Sequence, residues 1–215
     1  MRKVLGLIPL LAVISLAACG GNNNSSDKYK ISEARYNEIC NYDNYVRNIV
    51  SFNMTVTFTE RNGDDTYTYL TKYDNGKIST RTDDHEFFIE FKKGTYNAEN
   101  RTWTYDYYYE EDGVWKKDTY TDGLPDDIAM PDPQFLVDYS GIVFNKETNR
   151  YNTVETSFIK NLYYVYTNVE IGFENKNIVY YGYQTYQTSK PDEISYVEYV
   201  ATNFGSTTVT LPVVE

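Results

Sequence analysis

The side chains best suited to nucleophilic or acid–base chemistry in this sequence are one cysteine and the single histidine. Cys40 and His85 could cooperate as thiolate and imidazole, but neither lies in a recognisable nucleophile motif. Cys40 occupies an apolar position of a predicted helix, which favours a buried, inert thiol over a reactive one. His85 follows Asp83 and Asp84 at the entrance of a predicted strand. A solvated turn histidine is the simpler interpretation there, and a ligand or general base is the alternative.

Paired carboxylates are the other candidates for catalysis. Glu110–Glu111 and Asp83–Asp84 could serve a glycosidase, but neighbouring strand residues point to opposite faces and both pairs adjoin turns. The aspartates of residues 122–132 do not match the spacing of a calcium-binding loop. Motifs of serine hydrolases, phosphate-binding loops, zinc proteases and cysteine clusters are missing from the sequence. We therefore expect a protein that is not an enzyme, with no metal site and no cofactor.

Cys19 is placed for a different reaction, the covalent attachment of lipid. Arg2 and Lys3 form a positive start, Val4 to Ser15 form an apolar run too short for a comfortable membrane span, and small residues follow. The end of this stretch, Leu16-Ala17-Ala18-Cys19-Gly20, resembles the bacterial lipobox. That resemblance implies a diacylglyceryl group on the Cys19 thiol and cleavage just before it. The alternatives are an ordinary secretory signal with a chance cysteine and an apolar N-terminal helix that is not cleaved.

These features divide the chain into three parts. Residues 1–18 are predicted to be a lipoprotein signal peptide, 19–30 a flexible tether of small polar residues, and 31–215 a single β-rich extracytoplasmic domain. The lipid on Cys19 would be the contact with the membrane. The protein would then lie on the outer face of the cell membrane, or on an outer membrane if the cell has one.

The charge of the mature chain limits its partners. Without residues 1–18, 18 basic residues stand against 31 acidic ones, a net charge of −13. Nucleic-acid binders need a basic stripe, so nucleic acid is excluded as a partner. A broad electrostatic contact with anionic lipid is disfavoured for the same reason.

A change of hydrophobic period marks the start of a sheet. Ser32-Glu33-Ala34-Arg35 and the apolar spacing after it predict one amphipathic helix over residues 32–49. From Phe52 the period becomes two, and Asn-Gly and Asp-Gly pairs separate successive runs. We expect nine or ten strands, the last two over Ser195–Thr202 and Thr207–Leu211. The predicted fold is mainly β (α+β): a curved antiparallel sheet or half-barrel, with an N-terminal helix and a short second helix packed on it.

Residues 123–141 interrupt the alternation and contain three of the six prolines. The prolines exclude one long helix, but Asp132-Pro133 could begin a short one. The segment is predicted to be either a crossover between two halves of the sheet or a lid over a ligand.

The sequence holds 24 tyrosines, some of them in rows. They could replace phenylalanine and threonine on a two-sided sheet, or they could line an aromatic face that binds a lipid, a glycan or a peptide. The candidate ligand-binding residues share two strand faces: Trp103, Tyr105 and Tyr107 on one, Tyr164 and Tyr166 on the other.

The layout of the whole mature chain resembles uncharacterised surface lipoproteins of gut Firmicutes. The resemblance rests on the tether, the helix, a strand such as Phe52–Thr57, the string of hairpins and the closing stretch Asn203–Pro212. Those proteins are similar to the lipoprotein-carrier half-barrel class (LolA-like and LppX-like). The resemblance implies a curved antiparallel sheet that wraps around helices and can hold acyl chains, and it carries over no functional residue.

We therefore expect a membrane-anchored extracytoplasmic lipoprotein with a non-enzymatic binding or carrier domain. Its ligand would be apolar and lipid-like, held between the sheet and the helices. The alternative is a cell-surface module that recognises a glycan or a protein through exposed tyrosines.

Overall fold

The computed structural model describes residues 27–82, 85–160 and 163–214. The predicted signal peptide, the lipidation site Cys19 and residues 19–26 of the tether lie outside the described residues and stay predictions. The helical elements are the 3₁₀ turns Asp27–Tyr29, Ile49–Ser51, Pro133–Phe135 and Tyr139–Gly141, and the α-helices α1 (Glu33–Ile39) and α2 (Tyr42–Asn48).

The described residues form one curved, open antiparallel sheet of twelve strands. The strands are β1 (Asn53–Asn62), β2 (Asp65–Asp74), β3 (Lys77–Arg81), β4 (Glu86–Phe91), β5 (Trp103–Glu111), β6 (Val114–Asp122), β7 (Ile142–Asn145), β8 (Arg150–Thr153), β9 (Ser157–Lys160), β10 (Tyr164–Glu174), β11 (Asn177–Gln187) and β12 (Lys190–Thr202). Their order is β6-β5-β4-β3-β2-β1-β12-β11-β10-β8-β7, and β9 also pairs with β10. The predicted fold class is confirmed.

The hairpins follow the turn residues. Asn75 and Gly76 between β2 and β3 adopt positive φ angles of 48° and 96°, and Asp112 and Gly113 between β5 and β6 adopt 54° and 79°. Such pairs twist in the same sense as the flanking strands, so they favour two-residue hairpins. Because side chains alternate between the two faces of each strand, the apolar residues of the strands share the inner face, and the core lies on that face.

The N-terminal helical region is divided, where the sequence predicted a single helix. Ser32 begins α1 as expected, because its hydroxyl accepts a hydrogen bond from the Arg35 amide (3.3 Å). Asn41 then leaves the helical conformation, and its side chain accepts a hydrogen bond from the Asn44 amide (3.1 Å) to begin α2. Asparagine stabilises a helix start better than a helix interior, which explains the break.

Residues 123–141 form a crossover segment. They join β6 at one edge of the sheet to β7 at the other edge, across the inner face. Two buried hydroxyls hold the segment in place: Tyr73 donates to the Ala129 carbonyl and Tyr36 donates to the Val137 carbonyl, both at 2.7 Å. Asp132-Pro133 begins a 3₁₀ turn there, where the sequence predicted a short helix.

Residues 207–211 form no strand, so the prediction of a final strand over Thr207–Leu211 is wrong. Both edges of β1 are already occupied, by β2 and β12. The tail binds to side chains at the end of these strands: Asn53 accepts from the Thr207 amide (2.9 Å) and Asp74 accepts from the Val209 amide (3.0 Å). The three short strands β7, β8 and β9 were not predicted.

Candidate functional site

A cleft of about 480 Å³ opens between the two helices and one end of the sheet, and we call it the sheet–helix cleft. Its volume lies within the range of about 300–1,000 Å³ that is typical of small-molecule sites. Its apolar lining consists of Ile39, Tyr45, Phe52, Met54, Ile178 and Phe204. Its polar lining consists of Arg35, Glu38, Asn44, Asn48, Ser51, Asn53 and Asn177.

The apolar side of the cleft is continuous with the core. Tyr45 packs edge-on against Phe52 with 5.0 Å between the ring centroids, and Phe52 packs likewise against Tyr73 at 5.9 Å. Met54 and Ile178 are buried, on β1 and β11. The cleft therefore has an apolar wall backed by the core, which suits a hydrocarbon group.

Several polar groups around the cleft are already engaged. The Arg35 guanidinium donates to the Lys176 carbonyl (3.0 Å) and pairs with Glu38 (2.8 Å). The Asn53 amide is used by Asp74 and Thr207. The side chains of Asn48 and Asn177, by contrast, make no hydrogen bond with another residue of the described part of the chain. These two amides can donate to and accept from a polar group of a ligand.

The described chain begins beside this cleft. The Asn175 amide donates to the Lys28 carbonyl (2.9 Å), and the Lys28 ammonium pairs with Glu174 (3.2 Å). Asn175 lies in the turn that leads to Asn177 and Ile178 of the cleft. If the preceding residues were attached to a surface, this end of the sheet would therefore be the end closest to that surface.

Phe204 separates the cleft from a second hollow of about 430 Å³. Phe204 and Asn177 line both spaces. The neighbours of Phe204, Asn203 and Gly205, adopt positive φ angles of 56° and 72°. This turn projects a 38% exposed phenylalanine between the two hollows.

The structure places the predicted binding residues of β5 mainly in the core. Trp103 and Tyr105 are buried (3% and 5% exposed), and the Trp103 indole donates to the Val46 carbonyl of α2 at 2.8 Å. Tyr107 is half-buried and stacks on Phe87 with 5.1 Å between centroids. Trp103 thus attaches the sheet to α2, whereas Tyr105 and Tyr107 make their ring contacts within the sheet.

The two predicted binding residues of β10 lie elsewhere. Tyr166 is buried against Tyr183, with 5.5 Å between the rings, whereas Tyr164 is exposed and accepts a hydrogen bond from Gln187 (3.3 Å). Six strands separate β10 from β5, so the fold does not bring the five predicted residues together.

Exposed tyrosines are scattered in the described part of the chain. They are Tyr42, Tyr67, Tyr120, Tyr163, Tyr164 and Tyr196. No ring contact joins any two of them in the described ranges. A contiguous outward aromatic patch is therefore not formed by these six.

Cys40 and His85 are in different environments. Cys40 is fully buried, and burial raises the pKa of its thiol, so a thiolate is disfavoured. His85 is exposed; its Nδ1 lies 2.9 Å from the Thr82 hydroxyl and its Nε2 lies 3.6 Å from an Asp127 carboxylate oxygen. The described residues contain no cluster of three metal-ligating side chains.

Within residues 27–82, 85–160 and 163–214, no helix has the length and apolar character needed to cross a membrane.

Comparison with protein-family models, with curated proteins and with solved structures finds no match to this chain.

Sequence reasoning had found part of the cleft lining. Phe52 and Met54 were assigned to the apolar face of the first strand, and Ile39 to the apolar face of the helix. The polar residues were missed because they come from five separate elements, and the helix break at Asn41 helps to set their positions. The Asn-rich composition of residues 37–53 was the available signal.

Proposed function

We propose that this protein is a membrane-anchored extracytoplasmic lipoprotein whose domain binds or carries an apolar, lipid-like ligand without transforming it. The observation that supports this most strongly is the sheet–helix cleft, which has an apolar wall and two free amides. This combination suits an amphiphile with one hydrocarbon chain and a small polar head.

The position of the cleft supports the same proposal. The predicted lipidation site, Cys19, lies eight residues before the first described residue, Asp27, and an extended chain of this length spans at most about 26–29 Å. A lipid on Cys19 would thus keep Asp27, beside the end of the sheet that carries the cleft, within about 30 Å of the membrane. An amphiphile could then pass between the membrane and the cleft over a short distance.

Substitution at the cleft tests the proposal. Asn48 is an exposed cleft residue of α2, so Asn48→Trp should narrow the cleft without disturbing the core. We expect the affinity of residues 27–215 for dodecanoate, measured by titration calorimetry, to fall by about tenfold or more. A cooperative thermal unfolding transition in each variant would show that the domain is folded.

Arg47→Trp is the matched control, because Arg47 is also exposed on α2 but does not line the cleft. Its affinity should stay within about twofold of the original. Absence of dodecanoate binding to the unsubstituted domain, or equal losses in both variants, would contradict the proposal.

Recognition of a glycan or a protein through exposed tyrosines remains the alternative. It requires a contiguous aromatic patch, and the exposed tyrosines of the described residues make no ring contacts with one another. No observation in the structure favours it over the cleft.

A further inference from the structure

A continuous row of aromatic rings crosses the inner face beyond the helices. We call it the aromatic row, and it runs over β2, β1, β12, β11 and β10, five adjacent strands. Its members are Tyr69, Phe58, Tyr199, Tyr181, Tyr183 and Tyr166. Successive ring centroids lie 5.3, 5.0, 5.7, 5.4 and 5.5 Å apart.

Strand register produces the row. Phe58 of β1 lies directly opposite both Tyr69 of β2 and Tyr199 of β12, and Tyr199 lies opposite Tyr181 of β11. Four of the six rings are only half-buried, because the helices and the crossover segment cover the other end of the inner face. These half-buried rings therefore retain surface that a ligand can contact.

The crossover segment closes one end of the row. Phe135, which is 49% exposed, packs edge-on against Tyr166 with 6.1 Å between centroids. The Asp132 carboxylate accepts a hydrogen bond from the Phe135 amide (3.3 Å), so the same 3₁₀ turn brings a ring and a carboxylate to the row. A second carboxylate, that of Glu60, lies two residues beyond Phe58 on the same face of β1.

These carboxylates lack basic partners. Neither Glu60 nor Asp132 takes part in an ion pair within the described ranges. Residues 124–141 contain no lysine or arginine. In the five strands of the row, Arg61 and Lys72 alternate to the outer face, and Lys190 pairs with Glu193 at a hairpin end.

The charges act on the rings of the row. Burial, followed by the charges of Glu60 and Asp132, raises the pKa of Tyr199 to about 12. The negative potential that disfavours a tyrosinate at this position also favours a bound cation. The electron-rich faces of tyrosine and phenylalanine attract cations as well.

We propose that the aromatic row binds an organic cation with an alkylated ammonium group. Aromatic faces suit a large, weakly hydrated cation better than a metal ion, and no metal-ligating cluster is present in the described residues. A neutral ligand would remove water from Glu60 and Asp132 without replacing it by an opposite charge. No residue of the row lines the sheet–helix cleft, so this is a second site, independent of the proposed amphiphile site.

The test compares choline with its uncharged isostere, 3,3-dimethylbutan-1-ol, on the full chain purified in the uncharged detergent dodecyl maltoside. Titration calorimetry, with empty micelles as the blank, should show choline binding at least about tenfold more tightly. Equal affinity for the two probes, or no binding of choline, would overturn the proposal whatever happens at the cleft.

Two substitutions locate the site. Glu60→Gln should lower the affinity for choline by about fivefold and leave the isostere unchanged. Glu198→Gln is the matched control, because Glu198 lies on the outer face of β12, where Arg61 pairs with it. A larger effect of Glu198→Gln than of Glu60→Gln would place the cation elsewhere and refute the assignment.

Discussion

Replacing Tyr36 by alanine is expected to destabilise the domain by about 4 kcal/mol. Tyr36 has no exposed surface, and its ring packs against Tyr139 and Phe173 with 5.7 and 6.2 Å between centroids. Its hydroxyl also donates to the buried Val137 carbonyl of the crossover segment. The change would remove a large buried side chain and leave that carbonyl unpaired. Urea unfolding of residues 27–215 measures the free energy.

Two related variants separate the contributions to this loss. Tyr36→Phe keeps the ring and removes the hydrogen bond, so it should cost about 1–2 kcal/mol. Tyr42→Ala, at an exposed tyrosine of α2, should cost less than about 1 kcal/mol. If Tyr36→Ala were no worse than Tyr42→Ala, the helices would not be packed on the sheet as described.

Replacing Asp132 by asparagine is expected to stabilise the domain at pH 8 and to have no effect at pH 3. Burial raises the pKa of Asp132 from 3.8 to about 6, so the folded protein disfavours the ionised form. The penalty therefore grows as the pH rises from about 3.8 to about 6 and is fully present above that range. Asparagine removes the charge and can still cap the turn at the Phe135 amide.

The size of this effect follows from the shift. A difference between 3.8 and about 6 corresponds to at most about 3 kcal/mol, and solvent screening of a partly exposed carboxylate reduces this to about 1–2 kcal/mol. Urea unfolding at the two pH values measures it. The groups whose charges act on the carboxylate, or on which it acts, are Tyr36, Cys40, Tyr42, Asp43, Tyr45, Tyr181 and Tyr199.

Asp138→Asn is the control, since Asp138 is exposed and its side chain caps no helix. It should leave the stability unchanged at both pH values to within about 0.5 kcal/mol. A stabilisation by Asp132→Asn that is equal at pH 3 and pH 8 would exclude ionisation as its cause.

The sequence was sufficient to predict the sheet because local signals agreed along its length. Phe52, Met54, Val56 and Phe58 alternate with polar residues, and Asn75-Gly76 and Asp112-Gly113 require positive φ angles. Period and turn chemistry together determine which residues pair across a hairpin.

The arrangement of the helices and the chain ends could not be predicted in the same way. The Asn41 side chain caps α2, which ends α1 instead of allowing one continuous helix. The spacing of apolar residues contains no information about this capping. Residues 207–211 have the composition of a strand, but the edges of β1 are occupied by partners from distant parts of the chain. Trp103 and Tyr105 looked suitable for a ligand because sequence alone does not reveal that both are buried, Trp103 against α2.

The candidate site was predictable only in its location. Placing the ligand between the sheet and the helices followed from the amphipathic patterns, and the sheet–helix cleft lies there. Its polar residues, such as Asn48 and Asn177, come from elements distant in sequence, so no local pattern joins them. The aromatic row depends in the same way on the register of five strands.

Photo-crosslinking can show whether the sheet–helix cleft holds an amphiphile. Full chain in lipid nanodiscs would be irradiated with a diazirine-labelled palmitate, and mass spectrometry of the peptides would locate the adducts. We expect adducts in the peptides that contain the cleft residues Ile39, Met54, Ile178 and Phe204, and fewer of them after Asn48→Trp. Adducts confined to residues 19–30, or spread equally over the outer face of the sheet, would contradict it.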